Sequence, residues 1–99
     1  IVAIAAKMAG AARVVAVDDY SYCIDAMRLN IAANNVDVEI VQEDVYTYAP
    51  TCGDIFLMGD PFIDEKLFPY VKNKFEPVLV GCPLTNRAED FDYYKYQTY

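Results

Sequence analysis

Three aspartates fall where the chain leaves an apolar run. Asp18 follows Val14-Val15-Ala16-Val17, Asp44 lies just past the alternating segment 36–40, and Asp60 follows Ile55-Phe56-Leu57-Met58-Gly59. A carboxylate at the end of a strand can accept two hydrogen bonds from the adjacent hydroxyls of a ribose, and an ionised acceptor strengthens both. Asp18 suits that role. Asp44 can accept from an adenine amino group while the backbone N–H of its neighbour Val45 donates to the ring. Asp60 lies where a substrate would enter. Aspartate is also common at strand ends and helix starts for purely local reasons. Three acids at three successive strand ends make the ligand reading the expectation.

Other chemistries are excluded by what the chain lacks. It has no His, which removes a Ser-His-Asp arrangement, most zinc sites and histidine-based proton transfer. Its three cysteines, Cys23, Cys52 and Cys82, are odd in number and widely spaced, so neither a disulfide framework nor a metal cluster is expected. They read as buried free thiols of a reducing compartment. The net charge of −7 argues against a nucleic-acid groove, because phosphate binding depends on Lys and Arg. No apolar run approaches the roughly 18 residues of a membrane span. Ile1–Ala6 is apolar, but Lys7 interrupts it and no basic segment precedes it, so it does not read as a signal peptide.

The elements that must position these acids follow from periodicity. At 99 residues and 56% hydrophobic, the chain is too apolar for disorder and of a size for one domain. Ile1 to Ala9 reads as a helix buried on nearly all sides, stopped by Gly10. Arg13–Val17 is a β-branched run typical of a buried parallel strand. Ser21 is positioned to cap the next helix, whose inner stripe is Ile24, Met27 and Ile31, with Arg28 outside it. Asn34-Asn35 suits the end of that helix. The segment 36–40 alternates strictly and predicts a strand covered on one face. A turn at 50–53 precedes a third strand over 54–58, and a helix is expected over 65–74, with Pro69 inside it implying a kink or restart. Val78-Leu79-Val80 is a fourth strand. The tail, with Tyr93, Tyr94, Tyr96 and Tyr99, reads either as a short helix with a strand or as an edge strand alone. Short strands alternating with helices predict an α/β fold: a Rossmann-like, doubly wound, mainly parallel sheet of about four to five strands.

The stretch Ala3-Ile4-Ala5-Ala6-Lys7-Met8-Ala9-Gly10-Ala11 through Val14-Val15-Ala16-Val17-Asp18 resembles the class I, seven-strand S-adenosylmethionine-dependent methyltransferases. There it corresponds to the helix after the glycine-rich loop and the second strand with its ribose-binding acid. Leu29-Asn30 through Asn35 to Val41, and Glu43-Asp44-Val45, resemble the next helix, third strand and adenine-contacting acid. Met58-Gly59-Asp60-Pro61-Phe62-Ile63-Asp64-Glu65, with Ala-Ile-Ala-Ala-Lys-Met earlier and Val78-Leu79-Val80-Gly81 later, is similar to the lysine methyltransferases of the electron transfer flavoprotein beta subunit. The resemblance runs to about Ala88.

Carried over, it implies that Asp18 holds the cofactor ribose, that Asp44 and Val45 hold the adenine, and that Asp60 orients the acceptor amine. Such enzymes carry an aromatic three positions after that acid. Ile63 stands there, and Phe62, one residue earlier, is the candidate to serve instead. The resemblance further implies a mitochondrial matrix location in a eukaryote, or a cytoplasmic one in a bacterium. It places a first strand and a glycine-rich loop ahead of Ile1, so that residues 1–99 form part of a methyltransferase domain. This polypeptide alone is then expected to bind S-adenosylmethionine weakly or not at all.

Three rivals share some of these features. An NAD-dependent oxidoreductase could use Asp18 and Asp44 equally, and Tyr70 and Lys74 have the Tyr-x-x-x-Lys spacing of short-chain dehydrogenases, though ahead of the fourth strand and not after it. Asp60-Pro61-Phe62 loosely echoes the Asn-Pro-Pro-Tyr of nucleic-acid and glutamine amino methyltransferases, but without the second proline or a basic patch. A non-catalytic interaction module, with the tail tyrosines as its surface, is the third.

Overall fold

The computed structural model describes residues 1–50, 53, 55–59, 66–75 and 77–81. They form an α/β structure of parallel strand pairs and helices, divided between two units, Ile1–Cys52 and Gly53–Tyr99.

The first unit opens with helix α1, Val2–Met8. It ends in a Schellman motif: the Ala11 N–H donates to the Ala6 carbonyl at 3.2 Å and the Gly10 N–H to the Lys7 carbonyl at 3.1 Å. Gly10 takes φ +104° there, a value that a side chain would oppose. Lys7 reaches past the helix end to the carbonyls of Ala11 and Ala12 at 3.1 and 2.8 Å. The expectation of a helix buried on nearly all sides is corrected: α1 has no buried residue. Ile1, Val2 and Met8 are exposed, while Ala3, Ile4, Ala6 and Lys7 are half-buried. An apolar helix is covered only where neighbours reach it, and here they reach part of its circumference.

Strand β1, Val15–Asp18, pairs in parallel with β2, Glu39–Gln42, in the register Val15↔Glu39 through Asp18↔Gln42. Parallel neighbours need a crossover of about a dozen residues or more. Helix α2, Ser21–Asn34, supplies it and packs on both strands. Its inner stripe is the expected one. Ile24 is almost fully buried, Met27 and Ile31 are half-buried, and Arg28 lies outside, where it meets Asp25 at 3.2 Å. Ala16 and Val38 complete the small core of this unit. α2 ends with Asn35 in the left-handed region, φ 51° and ψ 46°. The Val36 and Asn35 N–H groups donate back to the Ile31 and Ala32 carbonyls, the bond pattern seen after α1.

Two local expectations are corrected here. Ser21 is not the cap of α2 but its first helical residue; Tyr20 is the cap and makes no side-chain capping bond. The carboxylate of Asp18, at the end of β1, accepts from the N–H of that Tyr20. The second strand also lies three residues later than the alternation placed it at its start, over 39–42 and not 36–40. The alternation itself is visible in burial, with Val36, Val38 and Ile40 turned in and Asp37 and Glu39 out. Pairing begins only where β1 offers a partner: the Glu39 N–H donates to the Val14 carbonyl at 3.0 Å. At this amino end, Arg13 holds Glu39 in a two-pronged ion pair of 2.7 and 2.8 Å. Hydrogen bonding to Arg13 holds the Glu39 carboxyl below its ordinary range.

The second unit repeats the plan. β3, Phe56–Gly59, and β4, Val78–Gly81, are parallel, in the register Phe56↔Val78 through Gly59↔Gly81. α3, Leu67–Lys74, lies between them in sequence. Its core is Val71, Met58 and Phe75, with the Phe56 and Phe75 rings stacked at 4.5 Å and 11°. The kink or restart expected at Pro69 is corrected. The first helical bond runs from the Tyr70 N–H to the Lys66 carbonyl at 3.2 Å, so Pro69 sits in the opening turn, where its missing N–H costs nothing. Glu65, Asp54, Cys52, Cys82 and the tyrosine tail lie outside the described residues.

Candidate functional site

Two of the three aspartates singled out in the sequence sit at the same end of one strand pair. Asp18 is the last residue of β1, opposite Gln42, the last residue of β2; Asp44 follows two positions later. The parallel pairing therefore sets the two acid-bearing loops side by side, beyond the carboxyl ends of adjacent strands, where open α/β sheets take their ligands. Asp18 is half-buried and Asp44 exposed.

Each carboxylate folds its own loop in the same way. Asp18 Oδ1 accepts from the Tyr20 N–H at 3.0 Å, and Asp44 Oδ1 accepts from the Tyr46 N–H at 2.9 Å. These are Asx turns in two Asp-x-Tyr segments. The Asp44 carbonyl also accepts from the Thr47 and Tyr48 N–H groups at 3.0 and 2.9 Å. A carboxylate offers about four acceptor positions. Asp18 also accepts the Cys23 thiol, and even so each acid keeps capacity to accept from a ligand. Among the described residues the Val45 N–H donates to no partner.

The loops are tied to each other as well as to themselves. The Glu43 N–H donates to the Asp18 carbonyl at 3.1 Å, and Gln42 Nε2 donates to the Asp19 carbonyl at 3.3 Å. Neither Gln42 nor Tyr20 was singled out in the sequence. The signal present there was the repeated Asp-x-Tyr spacing, which marks two equivalent turns.

Charge is segregated along the strand pair. Asp18, Asp19, Glu43 and Asp44 gather at its carboxyl end, and Arg13 sits at its amino end with Glu39. Asp18 and Asp19 come just before the first turn of α2, whose N–H groups favour negative charge. Cys23, in that turn, is exposed and not the buried thiol expected. Atoms packed around its sulfur withdraw water from the thiolate, Asp18 repels it while accepting a hydrogen bond from the thiol, and Asp19 adds to the repulsion. Together they hold Cys23 above the ordinary thiol range.

Asp60 and Phe62, the candidates for the substrate side, lie outside the described residues, as does Ile63. Tyr70 and Lys74 do meet, with Lys74 Nζ donating to the Tyr70 hydroxyl at 2.6 Å and lying 5.1 Å from the centre of that ring. This is the contact that residues four apart on any helix can make. Among the described residues no group of three or more acidic, Cys or His side chains could hold a metal ion, and no helix is long and apolar enough to cross a membrane. No family model, curated protein or solved structure matches the chain.

Proposed function

We propose that this chain is part of a Rossmann-like, S-adenosylmethionine-dependent protein-lysine N-methyltransferase, with the electron transfer flavoprotein beta subunit as the substrate its motifs favour. The observation that carries the reading is the adjacency of Asp18 and Asp44 at the carboxyl ends of two parallel strands. The polar groups fit the cofactor: two carboxylates that accept and one backbone N–H that donates answer the hydroxyls, amino group and ring nitrogen of an adenosine.

Bound S-adenosylmethionine supplies a methyl group that is already electrophilic, so the protein's task is alignment. Asp18 accepts from the ribose hydroxyls. Asp44 accepts from the adenine amino group and the Val45 N–H donates beside it. Asp60 attracts and orients the acceptor amine, with Phe62 as the adjoining aromatic. Lysine must be neutral to attack, and its ordinary pKa is about 10.4. A carboxylate alone would raise that value, so Asp60 serves as an orienting group and not as the base.

The test is calorimetric binding and methyl transfer by the full-length protein. Asp18→Ala is expected to abolish S-adenosylmethionine binding. Asp60→Ala is expected to spare binding and to lower transfer to the flavoprotein subunit by at least tenfold. Unchanged affinity in Asp18→Ala would remove the site from this strand pair.

A further inference from the structure

We infer that Gln42 is a positioning residue for Asp18, acting through the peptide group between Asp19 and Tyr20. The inference rests on the proposed function for its ligand and on hydrogen-bond geometry for its mechanism. The Asp19 carbonyl and the Tyr20 N–H belong to one planar trans peptide unit and point in opposite directions. The carbonyl side of that plane accepts from Gln42 Nε2 at 3.3 Å, and the N–H side donates to Asp18 Oδ1 at 3.0 Å. A rigid plane held at one side is oriented at the other. Gln42 therefore sets the direction of the donor that fixes the Asp18 carboxylate.

Gln42 is placed for this by register. It is the last residue of β2, directly opposite Asp18 in β1, and the next backbone N–H, of Glu43, donates to the Asp18 carbonyl at 3.1 Å. The turn after β1 is thus held from the neighbouring strand by one main-chain and one side-chain bond. The matching turn after β2 is different. Its Tyr46 N–H reaches Asp44 at 2.9 Å, but the clamp between the loops belongs to Asp19. Nature has provided an internal comparison: two Asp-x-Tyr turns, with this clamp on the first.

The substitution Gln42→Met keeps length and bulk and removes the donor. Two measurements on the full-length protein decide the inference. In amide hydrogen exchange, the Tyr20 N–H is expected to exchange severalfold faster in the variant while the Tyr46 N–H keeps its rate. In binding, affinity for S-adenosylhomocysteine is expected to fall about three- to tenfold, the loss of one ordinary hydrogen bond. Affinity for its 2′,3′-dideoxy analogue, which gives Asp18 no hydroxyls to hold, is expected to change little. Unchanged Tyr20 exchange, equal acceleration at both amides, or equal loss for both ligands overturns the inference. If the wild-type protein binds neither ligand, the proposed function falls and the ligand role of Gln42 falls with it. Exchange then still decides whether the clamp exists.

Discussion

At the scale of single residues, Asp18 has more partners than its position in the sequence suggests. Its carboxylate receives the Tyr20 N–H and the Cys23 thiol, and its own carbonyl receives the Glu43 N–H. Cys23 reports on this arrangement. Its thiol is exposed, yet the acids around it disfavour the thiolate that reacts with alkylating reagents. Labelling by iodoacetamide at pH 8 is therefore expected to be slower at Cys23 than at an unstructured cysteine. Asp18→Asn, which removes the charge and keeps the shape, is expected to speed it severalfold. An unchanged rate, followed by mass spectrometry of the Cys23 peptide, would show that Asp18 does not govern the thiol. The sequence made Asp18 conspicuous because a charge that ends an apolar run is legible by eye. It left Gln42 unremarked because an amide in a strand acquires meaning only when the register puts it beside a particular carbonyl.

At the scale of elements, both helices of the first unit end by turning into left-handed backbone, at Gly10 and at Asn35. The two positions differ in what they tolerate. Asn35, at φ 51° and ψ 46°, sits in the left-handed helical region that asparagine visits readily. Asn35→Ala is expected to cost about 1 kcal/mol in urea unfolding. Asn35→Gly should be close to neutral, and an equally large loss in both variants would mean that the asparagine side chain, not the backbone, matters. Elements of this kind were legible in advance: the stripe Ile24, Met27, Ile31, the Asn stop and the alternation before β2 are local patterns. The structure departs from such patterns where a neighbour decides. Ser21 lost the cap because Tyr20 takes that position and Ser21 is already helical. β2 started late because its ladder begins opposite β1. Pro69 proved harmless because α3 starts at Leu67 and puts it in the opening turn. How much of α1 is covered could not be read from α1, since an apolar helix looks the same whichever side its neighbours occupy.

At the scale of the molecule, both units use the same device, a parallel strand pair with a helix between the strands in sequence. Strand identity and the α/β class were readable from short β-branched runs separated by helical periodicity. Which strands pair was not, because pairing partners are not encoded in any one segment. The net charge of −7 acts at this scale too. Attraction between exposed charges is screened beyond about 8 Å at physiological salt and beyond about 30 Å at 0.01 M. Under the proposed function, transfer to a basic protein substrate is accordingly expected to show a rising KM, with little change in kcat, as salt increases over that range. A salt-independent KM would deny the acidic surface a part in recruitment.

The placement of Arg13 at one end of the β1–β2 pair and four acids at the other has a rotational consequence. Glu39 cancels Arg13, so the pair is near neutral at one end and negative at the other. So uneven a field does more than pull on a nearby ion, because it exerts a torque on any molecule whose own charge is lopsided. A chain segment carrying an ammonium group on a long stem would be turned, before contact, so that its cationic tip leads toward the acidic end. Pre-alignment of this kind shortens the search among orientations that limits most encounters between large molecules.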